Sequence, residues 1–252
     1  MCNVSISTNN LTIGYDNHIV QHNLSFELYS GEMVCMLGPN GCGKSTLLRT
    51  LAGLQPALDG TFSISNSPTG RPIGETPSSS EASSIALVLT ERLSIDNTTI
   101  HDVVAMGRYP YTSFLGGLSQ DDEYIINQAL NEVGLAGTAH TFFNDHSDGE
   151  KQRTLIAKAL TQQTDIILLD EPTAHLDLPN RIRILQMLRR VAREQGKTIL
   201  ISTHELDLAI QLSDRIMLMT PQQGVQIDTP DKLRELDAFT AAFGMDIFNP
   251  LD

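Results

Sequence analysis

The sequence predicts an α/β fold in which a parallel β-sheet carries helices on both faces. The apolar segments Asp165–Asp170 and Thr198–Ser202 lack the alternation of half-exposed strands, as expected of strands that are covered on both faces. An amphipathic helix predicted over Pro179–Gln195 separates them, and another apolar run, Met33–Leu37, precedes a glycine-rich loop. Strand, helix and strand in succession favour a doubly wound sheet, whose ligands bind at the carboxyl ends of its strands.

The remaining segments are assigned in chain order. Val4–Thr8 and Leu24–Leu28 alternate between apolar and polar residues, which predicts strands. Asn66–Ser84 is rich in Ser, Pro and Gly and predicts a loop between two strands. Helical spacing from Ile100 to Ala159 predicts a helical insert, and Thr229–Asp252 predicts a helical tail.

Length and composition limit the class of protein. The 252 residues, 40% of them hydrophobic, suffice for one large domain or a domain with a subdomain. A net charge of −13, from 17 basic and 30 acidic residues, opposes nonspecific binding to nucleic acid. No run approaches the roughly 18 apolar residues of a membrane span, and no signal peptide is recognisable, so we expect a cytosolic protein. The cysteines Cys2, Cys35 and Cys42 lack metal-ligand spacing and are expected to be reduced.

The glycine-rich loop is the strongest functional signal. It follows Met33–Leu37, precedes a helix-like segment and reads Gly38-Pro39-Asn40-Gly41-Cys42-Gly43-Lys44-Ser45-Thr46. In this GxxxxGKS pattern, backbone N–H groups cradle phosphates, Lys44 supplies a cation and Ser45 offers a hydroxyl to Mg²⁺. An ordinary glycine-rich turn is the alternative, but the flanking strand and helix favour a nucleoside triphosphate site. Cys42, inside this loop, is then a candidate for a thiol that bound nucleotide protects.

The ends of two other predicted strands have side chains that could bind a metal ion or take part in catalysis. Asp170 and Glu171 end one apolar strand, where one carboxylate can hold Mg²⁺ while its neighbour orients or deprotonates water. Two solvated charges before Pro172 are the alternative. His204 ends the other strand. A lone histidine is more often structural, but its place at the same sheet edge favours a contact with the γ-phosphate.

A second phosphate-type signal is the segment Ser147–Arg153, which leads into an apolar helix. Ser147 and Gly149 stand where a helix would start, and the N–H groups of a helix start attract anions. Taken alone, this segment is equally an ordinary helix cap.

In their order along nearly the whole chain, these motifs resemble those of the ATP-binding subunit of ABC transporters. Gly38–Thr46 matches the Walker A motif, and Asp170-Glu171 matches the end of Walker B. Ser147–Glu150 matches the family signature, Ala174–Asp177 the D-loop, and His204 the switch histidine.

The resemblance implies a P-loop NTPase (RecA-like) α/β core with an antiparallel β subdomain and an inserted α-helical subdomain. The core and β subdomain are expected at about residues 1–99 and 160–225, the helical subdomain with the signature at about 100–159, and a tail at about 226–252.

The resemblance also implies ATP and Mg²⁺ as cofactors and assigns roles to residues. Catalysis is expected of Lys44, Glu171 and His204. Metal contacts are expected of Ser45, Asp170 and Thr90, the last of which stands where the family carries its Q-loop glutamine, with Glu91 beside it. Nucleotide contacts are expected of Tyr15, Gly38, Pro39, Asn40, Gly41, Cys42, Gly43, Lys44, Ser45, Thr46, Ser147, Gly149 and Glu150. For Tyr15 the expected contact is stacking on adenine, and a half-buried strand tyrosine is the alternative.

By resemblance, two copies sandwich two ATP molecules, each signature closing over the Walker A loop of the other copy, and the pair drives integral-membrane permease subunits. Asp102–Tyr111 resembles a segment of bacterial importers of iron–siderophore complexes, haem and cobalamin, which also use an extracytoplasmic binding protein. The implied location is the cytoplasmic face of the membrane. Arg108, Tyr109 and Tyr111 suit a permease interface, although the tyrosines could equally belong to the subdomain core.

The chain departs from the family pattern at His146, where a leucine is usual, at Asp148, where a glycine is usual, and at Thr90. The alternative functions are a soluble ABC-type ATPase acting on a ribosome, DNA or cluster-assembly machinery, a non-catalytic nucleotide-binding regulator, and a P-loop kinase.

Overall fold

The computed structural model describes residues 3–16, 18–64, 85–90, 94–112, 117–221 and 224–244. The predicted loop at Asn66–Ser84, as well as Cys2, Glu91 and residues 245–252 of the predicted tail, lie outside these residues.

The described strands form two sheets. A three-stranded antiparallel sheet has the order β2-β1-β4, and a six-stranded sheet has the order β5-β6-β7-β3-β8-β9. The first comprises β1 (Val4–Tyr15), β2 (His18–Tyr29) and β4 (Asp59–Ile64). The second comprises β3 (Met33–Leu37), β5 (Ile85–Val88), β6 (Ile166–Asp170), β7 (Thr198–Ser202), β8 (Arg215–Thr220) and β9 (Gly224–Asp228). All its pairings are parallel except the antiparallel pair of β8 and β9.

The described residues form eight helices, and three short 3-10 turns lie at Met106–Tyr111, Ala136–Thr138 and Phe143–Asp145. They are α1 (Lys44–Leu51), α2 (Ile100–Ala105), α3 (Gln120–Glu132), α4 (Asp148–Thr161), α5 (Leu178–Gln195), α6 (Leu206–Leu212), α7 (Pro230–Glu235) and α8 (Ala238–Phe243). Among the residues described, no helix combines the length and apolar character that crossing a membrane requires.

The parallel sheet is covered on both faces, as its apolar strands predict. On β6, Ile167 and Leu169 pack into a core shared with α2 to α5, whereas Ile166 and Leu168 pack into a core shared with α1 and the antiparallel sheet. Successive side chains of a strand point to opposite faces, so burial of both faces requires an unbroken apolar run. The α/β class with an antiparallel β subdomain and a helical subdomain is therefore confirmed.

The helical insert forms because its helices have strong start signals. Thr99 and Ser119 each form a capping box, with Asp102 and Asp122 respectively, which satisfies backbone N–H groups at the starts of α2 and α3. The third capping box belongs to Ser147, at the start of α4. The backbone after α2 also approaches α4 closely at Gly107.

We expect Gly107→Ala to lower the free energy of unfolding by about 1–3 kcal/mol, the usual cost of overpacking. A Cβ atom at Gly107 would collide with the Thr161 hydroxyl and the Lys158 carbonyl oxygen. Urea unfolding monitored by circular dichroism measures the change. Gly137→Ala is the matched control, because its Cβ would have no described neighbour within 4 Å. Equal stability of the two variants would contradict this packing argument.

Candidate active site

The glycine-rich loop connects β3 to α1 and therefore lies at the carboxyl end of a central strand. Gly43 precedes the helix with a φ of 101°, a conformation that favours glycine. A Cβ atom there would lie 2.8 Å from the Cγ1 atom of Val20. Among the residues that the structure describes, no side chain caps α1, so the N–H groups of its first turn are available to an anion.

Lys44 places its ammonium group over this loop. Its Nζ atom donates hydrogen bonds to the carbonyl oxygens of Gly38, at 2.9 Å, and Pro39, at 3.2 Å. The side chain is 7% exposed, so the cation is held among backbone groups and away from bulk water. A buried cation beside open N–H groups suits a phosphate chain.

A cleft of about 500 Å³ opens over the loop. It is lined by Tyr15, His18, Val20, Asn40, Gly41, Gly43, Lys44, Ser45, Thr46 and Glu171. The structure thus brings seven of the predicted residues together: Tyr15, Asn40, Gly41, Gly43, Lys44, Ser45 and Thr46, with the predicted catalytic Glu171 opposite them.

Tyr15 ends β1 at the mouth of the cleft. Its side chain is 47% exposed, and its hydroxyl lies 3.2 Å from the Thr46 Oγ1 atom. An exposed ring tethered to the loop can stack on a base. His18, which no sequence motif singled out, pairs with Tyr15 between β1 and β2 and lines the same cleft.

Gln21, which no sequence motif singled out either, supports the glycine-rich loop through hydrogen bonds. Its Nε2 atom donates to the carbonyl oxygens of Cys42, at 2.9 Å, and Thr220, at 3.0 Å, and only 3% of the residue is exposed. The available signal was a polar residue at an inward position of the alternating strand β2.

Cys42 itself is 1% exposed, and burial raises the pKa of its thiol. Burial in the fold shields this thiol, and its backbone carbonyl accepts from Gln21. Protection of the thiol by bound nucleotide stays a prediction.

Asp170 ends β6, Glu171 follows it, and both are held by Ser202 at the end of β7. The Ser202 hydroxyl donates to the Asp170 carboxylate at 2.6 Å and accepts from the Glu171 N–H at 2.9 Å. Glu171 has a φ of 47°, which is strained for a residue with a side chain. This conformation turns the Glu171 side chain out of the sheet and into the cleft, while Asp170 stays buried.

His204 contacts Glu171 at the sheet edge that the sequence predicts for both, and its contact with the γ-phosphate stays a prediction. Its Nε2 atom lies 2.6 Å from the Glu171 Oε1 atom, and both side chains are partly exposed, 45% and 33% respectively. β7 lies between β6 and β3, so this pair stands beside the glycine-rich loop. A carboxylate and an imidazole can together hold and orient a water molecule at this edge.

Thr90, just after β5, lies next to Asp170. Its hydroxyl donates to the Asp170 carbonyl oxygen at 2.7 Å, so its proton is directed at the backbone. Thr90 and Glu171 line a second cavity, of about 260 Å³, between the sheet and the helical subdomain. A metal contact by Thr90 stays a prediction.

Ser147 caps α4, as the sequence predicts. Its hydroxyl oxygen accepts from the Glu150 N–H at 3.4 Å, and the Glu150 carboxylate accepts from the Ser147 N–H, at 3.1 Å, and hydroxyl, at 2.7 Å. Ser147, Gly149 and Glu150 are absent from the described lining of the 500 Å³ cleft. Within one chain, the signature and the glycine-rich loop are thus separate.

Two residues near the loop could supply oxygen ligands to Mg²⁺. Ser45, in the lining of the cleft, could supply a hydroxyl. Asp170, at the end of β6, could supply a carboxylate, although it is buried and absent from the described lining of the cleft. Mg²⁺ is bound through one or two such oxygens together with substrate phosphates. The described residues hold no group of three or more His, Cys, Asp or Glu that could hold a metal ion.

Comparisons with known proteins agree with this geometry. The family model described as ABC transporter matches residues 21–174. The iron(3+)-hydroxamate import ATP-binding protein FhuC of Bacillus subtilis is 34% identical over 92% of this chain and 87% of its own length. The achromobactin transport ATP-binding protein CbrD of Dickeya dadantii is 33% identical over 96% of this chain and 86% of its own length.

Solved structures have the same fold. A chain from an inward-facing metal-chelate-type ABC transporter superposes with a TM-score of 0.82 at 28% identity, covering 96% of this chain and 90% of that chain. A nucleotide-free ATP-binding cassette from an ABC transporter also superposes with a TM-score of 0.82, covering 95% of this chain and 97% of that chain. At 18% identity, the second comparison supports the fold assignment alone.

Proposed function

The chain belongs to the ABC transporter family and is an ATPase subunit of that family, and from this premise we propose that two copies close over two ATP molecules and power a permease that imports an iron chelate. The observation that carries the proposal is the division of the site: the loop, Glu171 and His204 share one sheet edge, whereas Ser147 caps a helix outside their cleft.

In this proposal each cleft binds one ATP. Tyr15 stacks on the base, the N–H groups of Gly41 and Gly43 and the Lys44 ammonium hold the phosphates, and Ser45 and Asp170 hold Mg²⁺. Mg²⁺ bound there would neutralise charge on the phosphates during transfer to water.

Glu171 then orients and polarises the attacking water. Its carboxylate faces the cleft, and His204, 2.6 Å away, steadies both the carboxylate and the γ-phosphate. Ser202 fixes the backbone of Glu171 and the carboxylate of Asp170, so one hydroxyl keeps the metal-binding and water-binding residues in register.

The proposed second copy completes the site. Its α4 start would bring the Ser147 hydroxyl and the Gly149 N–H to the γ-phosphate, because a helix start attracts anions. A single chain would then bind ATP but hydrolyse it slowly.

The test uses purified protein and light scattering. Glu171→Gln with ATP and Mg²⁺ should double in mass, and removal of ATP should restore the monomer. Ser147→Arg in the same background should stay monomeric while it still binds ATP, because the change lies outside its own cleft. A Glu171→Gln protein that stays monomeric at saturating ATP would contradict the two-copy site.

The proposed permease contact lies beside β5 and α4. Tyr109 and Tyr111 are 59% and 47% exposed, so their rings are not subdomain core. Arg108, whose guanidinium lies 4.1 Å from the centre of the Tyr111 ring, is 6% exposed. It donates to the Asp122 carboxylate at 2.8 Å and the Thr161 carbonyl oxygen at 2.9 Å. Hydrogen bonds from Ser119, and then Arg108, lower the pKa of Asp122 to about 2, so the carboxylate remains charged as an anchor.

A groove of about 210 Å³ adjoins Tyr111, whose hydroxyl donates to the carbonyl oxygen of Gln162 in the groove lining at 2.6 Å. It is lined by Leu87, Val88, Leu89, Leu155, Lys158, Ala159 and Gln162. Exposed aromatic side chains over a rigid arginine, beside an apolar groove, suit a short helix of a partner protein.

The iron-chelate cargo is proposed from the relatives that are named for siderophore transport. An extracytoplasmic binding protein would deliver that cargo, and the ATPase would sit on the cytoplasmic face of the membrane. The net charge of −13 weighs against a nucleic-acid partner.

Affinity capture tests the partner. Tagged Glu171→Gln protein, isolated with ATP from gently solubilised native membranes, should retain a polytopic permease encoded with iron-uptake genes. Tyr109→Ala should lose that permease, whereas Tyr124→Ala, 64% exposed on α3, should retain it. Capture of ribosomes, DNA or cluster-assembly proteins by both variants would instead support a non-membrane ABC ATPase.

A further inference from the structure

We propose that His146 is a positioning residue for Ser147, acting through the Glu150 carboxylate. The inference rests on the proposed two-copy function, in which the Ser147 hydroxyl reaches the γ-phosphate held by the other copy. Its starting point is a departure from the family pattern, since a leucine at this position would offer no hydrogen bond.

His146 is built into the turn that precedes α4. Its side chain is 10% exposed, and its Nε2 atom lies 2.6 Å from the Thr141 Oγ1 atom. The Thr141 Oγ1 atom also lies 2.6 Å from the Thr138 carbonyl oxygen. The imidazole is therefore fixed on one side by the preceding loop and cannot swing freely.

The other ring nitrogen faces the signature. The Nδ1 atom of His146 lies 3.3 Å from the Glu150 Oε2 atom. This same oxygen accepts from the Ser147 N–H and from the Ser147 hydroxyl. Hydrogen bonds from Ser147, with a smaller contribution from His146, lower the pKa of Glu150, which keeps the carboxylate charged.

In the proposed closed pair, the Glu150 carboxylate and the γ-phosphate compete for the hydroxyl proton of Ser147. A γ-phosphate accepts hydrogen bonds, so Ser147 must turn its hydroxyl proton from Glu150 to the phosphate when the two copies close. A carboxylate that loses a donor without replacement is destabilised. In the tautomer that carries its proton on Nδ1, Nε2 accepts from the Thr141 hydroxyl, and the Nδ1–H group lies near the same Glu150 oxygen. It can then replace the donor that Glu150 loses, so the exchange becomes easier.

Steady-state ATP hydrolysis of the purified protein tests this role. His146→Leu introduces the leucine that is usual in the family and is expected to lower kcat about tenfold, the factor that corresponds to one hydrogen bond to a charged group. The affinity of the monomer for ATP, measured with a fluorescent analogue, should not change. His146→Asn places an amide N–H near the position of Nδ1 and should restore kcat to within about threefold of the parent.

The Ser147→Ala background separates positioning from a general effect on folding. In that background His146→Leu should change kcat no further, because the hydroxyl on which His146 acts is gone. Retained kcat in His146→Leu, failure of His146→Asn to restore it, or an undiminished tenfold loss in the Ser147→Ala background would each overturn the inference. If Ser147→Ala alone leaves kcat unchanged, the two-copy function fails and this inference fails with it.

Discussion

Glu171→Gln is expected to lower kcat of ATP hydrolysis by about 10²–10⁴, the range for loss of a general base, while ATP still binds. The change removes the charge that polarises water but keeps an oxygen 2.6 Å from the His204 ring. Steady-state phosphate release gives kcat, and a fluorescent ATP analogue gives the affinity.

The matched control for this prediction is Glu205→Gln. Glu205 follows His204 directly, but its carboxylate pairs with Arg181 and is absent from the described lining of the cleft. It should leave kcat within about threefold of the parent, because changes outside the reacting groups have small effects. Glu171→Gln protein with near-parental turnover would remove Glu171 from the water-activating role.

Lys44→Ala is expected to weaken ATP binding by at least about 100-fold, since charge-assisted hydrogen bonds to phosphates are lost. Lys44 is the one Lys or Arg among the described residues that line the cleft, and Glu171 in the same cleft repels the phosphates. With a net charge of −13, the chain offers little other attraction for an anion. Isothermal titration calorimetry measures the affinity.

Lys232→Ala provides the control for a lost positive charge. Lys232 is 60% exposed and pairs with Asp228 in the tail, outside the cleft. Its loss should alter ATP affinity by no more than about twofold, because exposed ion pairs contribute little and salt screens them. An ATP affinity of Lys44→Ala within about threefold of the parent would show that the backbone N–H groups alone hold the phosphates.

The fold class was predictable because burial on both faces leaves a local pattern. β3, β6 and β7 are each buried along their whole length. The helix between β6 and β7, α5, nearly matches the range predicted for it, Pro179–Gln195. β8 and β9 were not predicted as separate elements, although Ile216–Met219 within β8 is an apolar run. Without a motif at its end, such a run does not reveal its place at the side of β3.

The sequence by itself determined the glycine-rich loop, Asp170, Glu171 and the cap at Ser147, because each depends on residues that are neighbours along the chain. Only the tertiary structure decided that Ser202 holds Asp170 and Glu171, and that Gln21 supports Cys42. It also decided that the tyrosines after Arg108 are exposed and that Ser147 lies outside the cleft. These contacts join residues far apart in sequence, so they depend on strand order and side-chain direction, which no local pattern encodes.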